Sequence, residues 1–325
     1  MLRSLVGSEM CIRDSAWTVA SITGNDVTLT GGTSITGGSN IAVTFGNYWR
    51  ALAANELNMT PRGVLGVGAW AAGQNAGVSS AETISVDSFV NSLTFSGTAS
   101  LGSGLGASFG AFGTGGRILN LQLQGATAFL VKDGTTNYSA GALSSAGGTT
   151  MFGHVLFGST LNFNAGSAFG LNSSGGFVKA GEGVLNLNVP TYFGAANNFA
   201  VNQGRVNLNS GAPNTLAVLA NTAGGAAMSL RIESLEAVVD LRNQSQIVNE
   251  LRSSNEKPGQ AGTLTNSLGS LVNFTTYGES AFAGAITGNL NFVRAGNTST
   301  TLTGASSYAG LTVCLLYTSP SPRDS

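Results

Sequence analysis

Two stretches of this chain repeat one another, and a chain built from short repeated extended units is restricted to folds that stack them. Phe177-Val178-Lys179-Ala180-Gly181 returns as Phe292-Val293-Arg294-Ala295-Gly296. Each copy then alternates Val, Leu or Thr with polar residues up to a Tyr-x-Gly, Tyr192-Phe193-Gly194 in one and Tyr308-Ala309-Gly310 in the other. Upstream, Ser159-Thr160-Leu161-Asn162-Phe163 is set against Ser270-Leu271-Val272-Asn273-Phe274, and Ser167-Ala168-Phe169 against Ser280-Ala281-Phe282. A unit this short cannot bury its apolar face alone, so it packs against the next copy and the chain becomes a solenoid. The copies are expected to be geometrically equivalent, with Tyr192 and Tyr308 at the same corner position.

Composition agrees with one continuous stack. Only 9% of the 325 residues are charged, against roughly 25% in ordinary soluble domains. Glycine numbers 47 and proline 6, and hydrophobic residues make up 42%. Enough apolar surface exists to fold, so disorder is disfavoured. Thr, Val, Ile and Phe suit a pleated surface, and Gly and Asn supply left-handed corners. The net charge is −1 and no basic cluster is present, which disfavours nucleic acid as a partner. No apolar run approaches the roughly 20 residues of a membrane span, so this segment is not expected to insert in a membrane.

The two ends read as foreign. Back-translating Cys314 to Asp324 gives a nucleotide string whose reverse complement encodes Leu5 to Asp14, which looks like a translated sequencing adapter and is set aside for fold reasoning. The expected organisation is therefore 1–15 adapter-derived, 16–90 a β-rich and partly irregular segment, 91–313 solenoid repeats, and 314–325 adapter-derived. The only two cysteines, Cys11 and Cys314, fall in the foreign ends. Disulfides, thiol catalysis and cysteine-ligated metals are thereby excluded for the rest.

Along the chain, Val27 to Thr30, Ile41 to Phe45, Thr83 to Val86 and Ser92 to Phe95 alternate as strands between turns. Trp49 to Leu57 has apolar residues at helical spacing and reads as a short helix or irregular insertion. Gly97 to Gly116 is either a tightly turned coil or a linker; the recurrence of Leu101, Leu105, Phe109 and Phe112 favours the coil. Ile118 to Val131 gives one or two strands, and Lys132-Asp133-Gly134 a turn. Met228 to Lys257 is the charge-rich region, and its pattern fits either an amphipathic helix or two coils with a charged solvent face.

Lys179-Ala180-Gly181-Glu182-Gly183-Val184-Leu185-Asn186-Leu187, followed by Thr191-Tyr192-Phe193-Gly194 and Gly204-Arg205-Val206-Asn207-Leu208, resembles the autotransporter-associated β-strand repeat. Arg294 to Gly310 is similar to a second copy. Val239-Asp240-Leu241 through Gln246-Ile247-Val248 to Leu251 is similar to the spacer between such repeats, which tips that region toward strands. Asn91 to Gly97 is similar to the segment that opens the array. Pro190-Thr191 and Asn297-Thr298-Ser299 depart from the family pattern. The resemblance implies an all-β, right-handed parallel β-helix in a single elongated domain, with about 10–15 coils and a rod of roughly 50–70 Å. It further implies a non-catalytic passenger or stalk of an exported bacterial surface protein, adhesin-like, at the cell surface, with surface glycans or other cells as partners.

Chemistry-bearing residues are sparse. His154 is the only histidine and lies in an apolar strand, where a structural role is the ordinary one; no triad geometry is signalled around it. Four aspartates from Asp26 to Asp240 and eight glutamates contain no paired motif, and Glu233 with Glu236 is the closest pair of interest. Glycine-rich stretches such as Gly102 to Gly106 lack the context of a phosphate cradle. Trp17, Trp49, Trp70, Tyr138, Tyr192 and Tyr308 are aromatic candidates for stacking on glycans. No residue is assigned a catalytic, cofactor-binding or metal-binding role, and no cofactor is expected. The competing readings are a polysaccharide-acting β-helix enzyme, a lyase or tailspike-type hydrolase, and a phage fibre-like structural protein.

Overall fold

The computed structural model describes residues 18–23, 26–30, 74–84, 87–103, 120–145, 149–164, 171–173, 175–193, 198–218, 228–254 and 257–315. All described regular structure is β. Strands β1 (Thr18–Thr23) and β2 (Asp26–Thr30) form an antiparallel hairpin of their own. From β3 onward every pairing is parallel.

The stack opens with β3 (Asn75–Val78), β4 (Ala81–Ile84) and β5 (Ser88–Phe95). It continues through β6 (Ser100–Ser103), β7 (Asn120–Val131), β8 (Thr135–Ser139) and β9 (Ala142–Ser145). The next coils are β10 (Met151–Val155), β11 (Thr160–Phe163), β12 (Leu171–Ser173), then β13 (Phe177–Ala180), β14 (Val184–Leu187), β15 (Thr191–Phe193). After them come β16 (Asn198–Val201), β17 (Arg205–Leu208), β18 (Leu216–Val218), then β19 (Ser229–Ile232), β20 (Val238–Asp240), β21 (Gln246–Val248). The last are β22 (Glu250–Arg252), β23 (Thr263–Asn266), β24 (Val272–Thr276), β25 (Ser280–Phe282), β26 (Ala285–Gly288), β27 (Leu290–Ala295), β28 (Thr300–Leu302), β29 (Ser307–Tyr308) and β30 (Thr312–Leu315).

Each strand pairs with the strand three places on in the regular part of this order, so the chain winds through three faces per coil: it is a parallel β-helix, a β-solenoid. The first face carries β3, the second half of β5, the second half of β7, then β10, β13, β16, β19, β22, β25 and β28. The second face is a 10-stranded sheet from β4 to β29. The third carries the first halves of β5 and β7, then β9, β12, β15 and β18, followed by the 4-stranded sheet β21-β24-β27-β30. Gln246 joins these last two groups: its amide oxygen accepts from Leu216 N at 3.1 Å, and its Nε2 donates to Leu216 O at 2.8 Å. Ten rungs on the second face at about 4.8 Å each give a rod of about 45 Å.

The core is one continuous lumen from Ala76 to Phe292. Alternation along each strand decides what enters it. In β14, Leu185 and Leu187 are buried while Val184 and Asn186 are partly exposed. Phe129 and Phe177 stack with centroids 6.1 Å apart although β10 lies between their strands. Gly153 of β10 makes this possible, because a Cβ there would stand 2.4 Å from Phe129 Cζ and 2.8 Å from Phe177 Cζ.

Two segments take the form expected of them. Ile118 to Val131 yields a single 12-residue strand, β7, whose two halves serve two faces. Met228 to Lys257 forms strands β19 to β22 and no helix in its described part. The stack begins at Asn75, and β5 runs unbroken across residues 90 and 91. Strand β30 runs through Val313 into Cys314 and Leu315. The segments Ile41 to Phe45, Trp49 to Leu57 and residues 104–119 lie outside the described residues.

One expectation is corrected. The two repeat copies do not occupy equivalent places: Tyr192 lies in β15 on the third face and Tyr308 in β29 on the second. Likewise Phe177–Ala180 is on the first face and Leu290–Ala295 on the third. The motif specifies a strand and the corner after it, which any of three faces can use.

Candidate functional site

The repeated Lys/Arg-Ala-Gly is a corner with an inward cation. Alternation in β13 sends Lys179 into the lumen, where it is fully buried. Its Nζ donates to Gly183 O at 2.6 Å, to Gln203 O at 2.8 Å and to Gly181 O. Two of these carbonyls belong to its own corner and one to the next coil, so the ammonium staples adjacent turns. Burial lowers the lysine from 10.5 to about 7, opposed by the charge of Glu182. Arg294 repeats the device on another face: Nη1 donates to Thr276 O at 3.0 Å and Nε to Thr298 O at 3.1 Å. Gly181 and Gly296 follow with φ of 77° and 82°, the left-handed backbone that glycine adopts without strain.

A polar rail runs up the outside of the second face. Asn162 donates to Asn137 at 2.9 Å, Asn186 to Asn162 at 2.7 Å and Asn207 to Asn186 at 2.6 Å. In register above them stand Asp240, Thr265 and Thr287. Thr287 donates its hydroxyl to Thr265 at 3.0 Å.

Asp240 is the node of this rail and is fully buried. Its Oδ2 accepts from Arg205 Nη1 at 2.9 Å and Ser267 Oγ at 2.6 Å, and its Oδ1 from Ser267 N at 3.1 Å and Arg242 N at 3.2 Å. Arg242 Nη1 stands 4.0 Å from the same Oδ2. Both arginine side chains remain partly open to solvent, with exposures of 41% for Arg205 and 34% for Arg242. Arg242 and Asn243 sit at φ of 49° and 63°, held there by Asp240 and by the Asn266 amide oxygen, which accepts from Asn243 N at 2.8 Å.

The other candidate residues are dispersed. His154 faces away from the lumen on β10, in register between Leu130 and Ala180, and is 8% exposed. Glu233 accepts from Arg231 Nε at 2.7 Å and from Ser254 N at 2.6 Å, whereas Glu236 accepts from Gln203 at 3.3 Å. That pair is therefore divided between different partners. Tyr138 is fully buried and packs edge-on against Phe163, and burial holds its phenol far above the ordinary range; it is unavailable for stacking on a glycan. Tyr308 is partly exposed and its hydroxyl meets Thr312 Oγ1. Trp17, Trp49, Trp70 and the side chain of Tyr192 lie outside the described residues. Among the described residues no three of His, Cys, Asp and Glu gather as a metal site would require. Glu82, inward on β4, has its carboxyl pKa raised by burial.

Sequence reading had singled out neither Lys179 as a buried staple nor Asp240 as a node. The first was legible in principle, since a cation alternating in phase with Phe177 must point inward. The second needed the stacking of residues 35 apart. No family model matches this chain, and neither a curated protein nor a solved structure is detectably similar to it.

Proposed function

We propose that this chain is a non-catalytic scaffold, the passenger or stalk segment of an exported bacterial surface protein. The observation that supports it most is the double use of the repeat motif: Lys179 and Arg294 each turn inward before a left-handed glycine and bind corner carbonyls. The residues that carry the resemblance to autotransporter repeats thus do construction work in the stack. Side-chain chemistry is spent on cohesion, in amide rails and capped corners. Adhesion to glycans or cells at the surface follows from that reading.

Two measurements test it. Incubated with a broad polysaccharide panel, the purified chain is expected to release neither reducing ends nor unsaturated products. Turnover that disappears in Glu236→Gln or Glu233→Gln would replace the scaffold with an enzyme. The intact gene provides the second check: a C-terminal barrel or surface-sorting signal is expected, and a phage structural neighbourhood would count against the surface assignment.

A further inference from the structure

The second face carries a charge arrangement that cohesion alone does not call for. Along its ten strands the outward positions hold Thr, Asn, Val, Ala, Ser and Gly, and only Arg205 and Asp240 are charged. Asp240 already accepts from Ser267 N, Ser267 Oγ and Arg242 N. Yet two arginines from successive coils converge on it, one at 2.9 Å and one at 4.0 Å. One buried carboxylate thus orients two arginine side chains that stay a third or more exposed, leaving a net single positive charge on the strands of this face, while Glu182 and Glu236 lie apart on Gln203 at the corner that precedes them. Guanidinium forks suit carboxylate and sulfate.

We propose that Arg205 and Arg242, anchored by buried Asp240, form a binding site for an anionic glycan lying along the second face. The rail on either side supplies the rest of the recognition. Asn186 and Asn207 on one side, and Thr265 and Thr287 on the other, are partly exposed and keep amide N–H groups and hydroxyl capacity beyond the bonds they make to one another. Their spacing of about 4.8 Å is close to the advance per residue of an extended pyranose chain. A polymer that combines many hydroxyls with a carboxylate or sulfate matches both features; a neutral glycan leaves the arginines unused, and a nucleic acid leaves the rail unused. The proposal deepens the scaffold reading by naming a ligand class, but binding by the purified chain is measured independently of where the parent protein resides.

The test is equilibrium binding of the full chain to polygalacturonate, with its methyl ester as the uncharged form of the same polymer, dextran sulfate as the sulfated arm and oligo(dT) as a non-glycan polyanion. Polygalacturonate or dextran sulfate is expected to bind with an affinity that falls as salt rises, the better of the two telling carboxylate from sulfate. The methyl ester and oligo(dT) are expected to bind at least tenfold more weakly. Arg205→Gln with Arg242→Gln is expected to weaken binding at least tenfold. Because that double variant leaves Asp240 short of partners, Thr265→Glu provides a second arm: it retains Arg205, Arg242 and Asp240, adds a carboxylate in register beside Asp240 that cancels the local positive charge, and is expected to weaken binding similarly. Lys132→Gln, an exposed cation on a different edge, is expected to change nothing. Equal binding of the methyl ester or oligo(dT), indifference to Thr265→Glu, or no binding to either acidic glycan overturns the proposal.

Discussion

Lys179 shows how one side chain can be both a fastener and a liability. Its three carbonyl partners suit an ammonium, yet burial favours the neutral amine and brings the group to about 7. In the unfolded chain the same lysine keeps its proton to about 10.5. Between those values the unfolded state binds more protons, so this residue makes stability rise with pH; below 7 both states are charged and that contribution is absent. Glu82 acts in the opposite sense: its raised pKa means that the folded state holds a proton longer, and stability from it falls as pH climbs through that range. The melting temperature of Lys179→Met is therefore expected to lack the rise that the parent chain shows between pH 7 and 9, measured against the parent so that Glu82 cancels. Parallel profiles for the two proteins would remove Lys179 as the source. Gly153 is a second singular residue. Valine there would force Phe129 and Phe177 apart and is expected to cost about 3 kcal/mol, read as a shift in the denaturant midpoint.

At the scale of the element, the corner is the unit that recurs. A strand that ends in an inward cation, a small residue and a left-handed glycine turns onto the next face wherever it occurs. Alanine at Gly181 or Gly296 must adopt a backbone that costs about 1–2 kcal/mol for an L-residue. The two sites differ in what the new methyl meets: Val155 O at 2.3 Å in the first and Tyr277 O at 2.8 Å in the second. Gly181→Ala is expected to lower the unfolding free energy more than Gly296→Ala, and the reverse order would show that the closer approach to Val155 O is not what sets the cost. Leu185→Asp belongs to the same scale. It would bury an unpaired carboxylate between Leu161 and Val206, a loss on the order of several kcal/mol, and should open the flanking coils first.

For the whole molecule, cohesion is shared among rungs. Each coil contributes a row of parallel backbone pairs and a slice of apolar lumen, and touches only its neighbours. The lumen passes Val90 and Leu93 without interruption, so the coils from Asn75 onward behave as one body. Burial fades at the far end: β27 still alternates buried and partly exposed residues, β28 buries none, and β30 is almost wholly exposed. Amide hydrogen exchange is accordingly expected to be slowest across β13 to β20 and to quicken toward β28 and β30. Equal protection of residues 300–315 would contradict a stack whose stability is the sum of its contacts.

The architecture was legible from the sequence because its signal is local. Period-two alternation, left-handed glycines and a recurring motif each act within about ten residues, and together they admit little besides a coil of short strands. The same locality let Leu185, Leu187 and Val206 be read as alternating strand residues. What the sequence could not determine is which residue stands above which. Coils here differ in length, with register partners 21 residues apart for Asn186 and Asn207 but 33 for Asn207 and Asp240. A motif repeated along the chain therefore drifts from one face to another, as the two tyrosines did. The Asp240 node, the amide rail and the burial of Tyr138 all depend on that vertical register. Register is decided by side chains meeting across coils in the folded stack, and only the tertiary structure contains it.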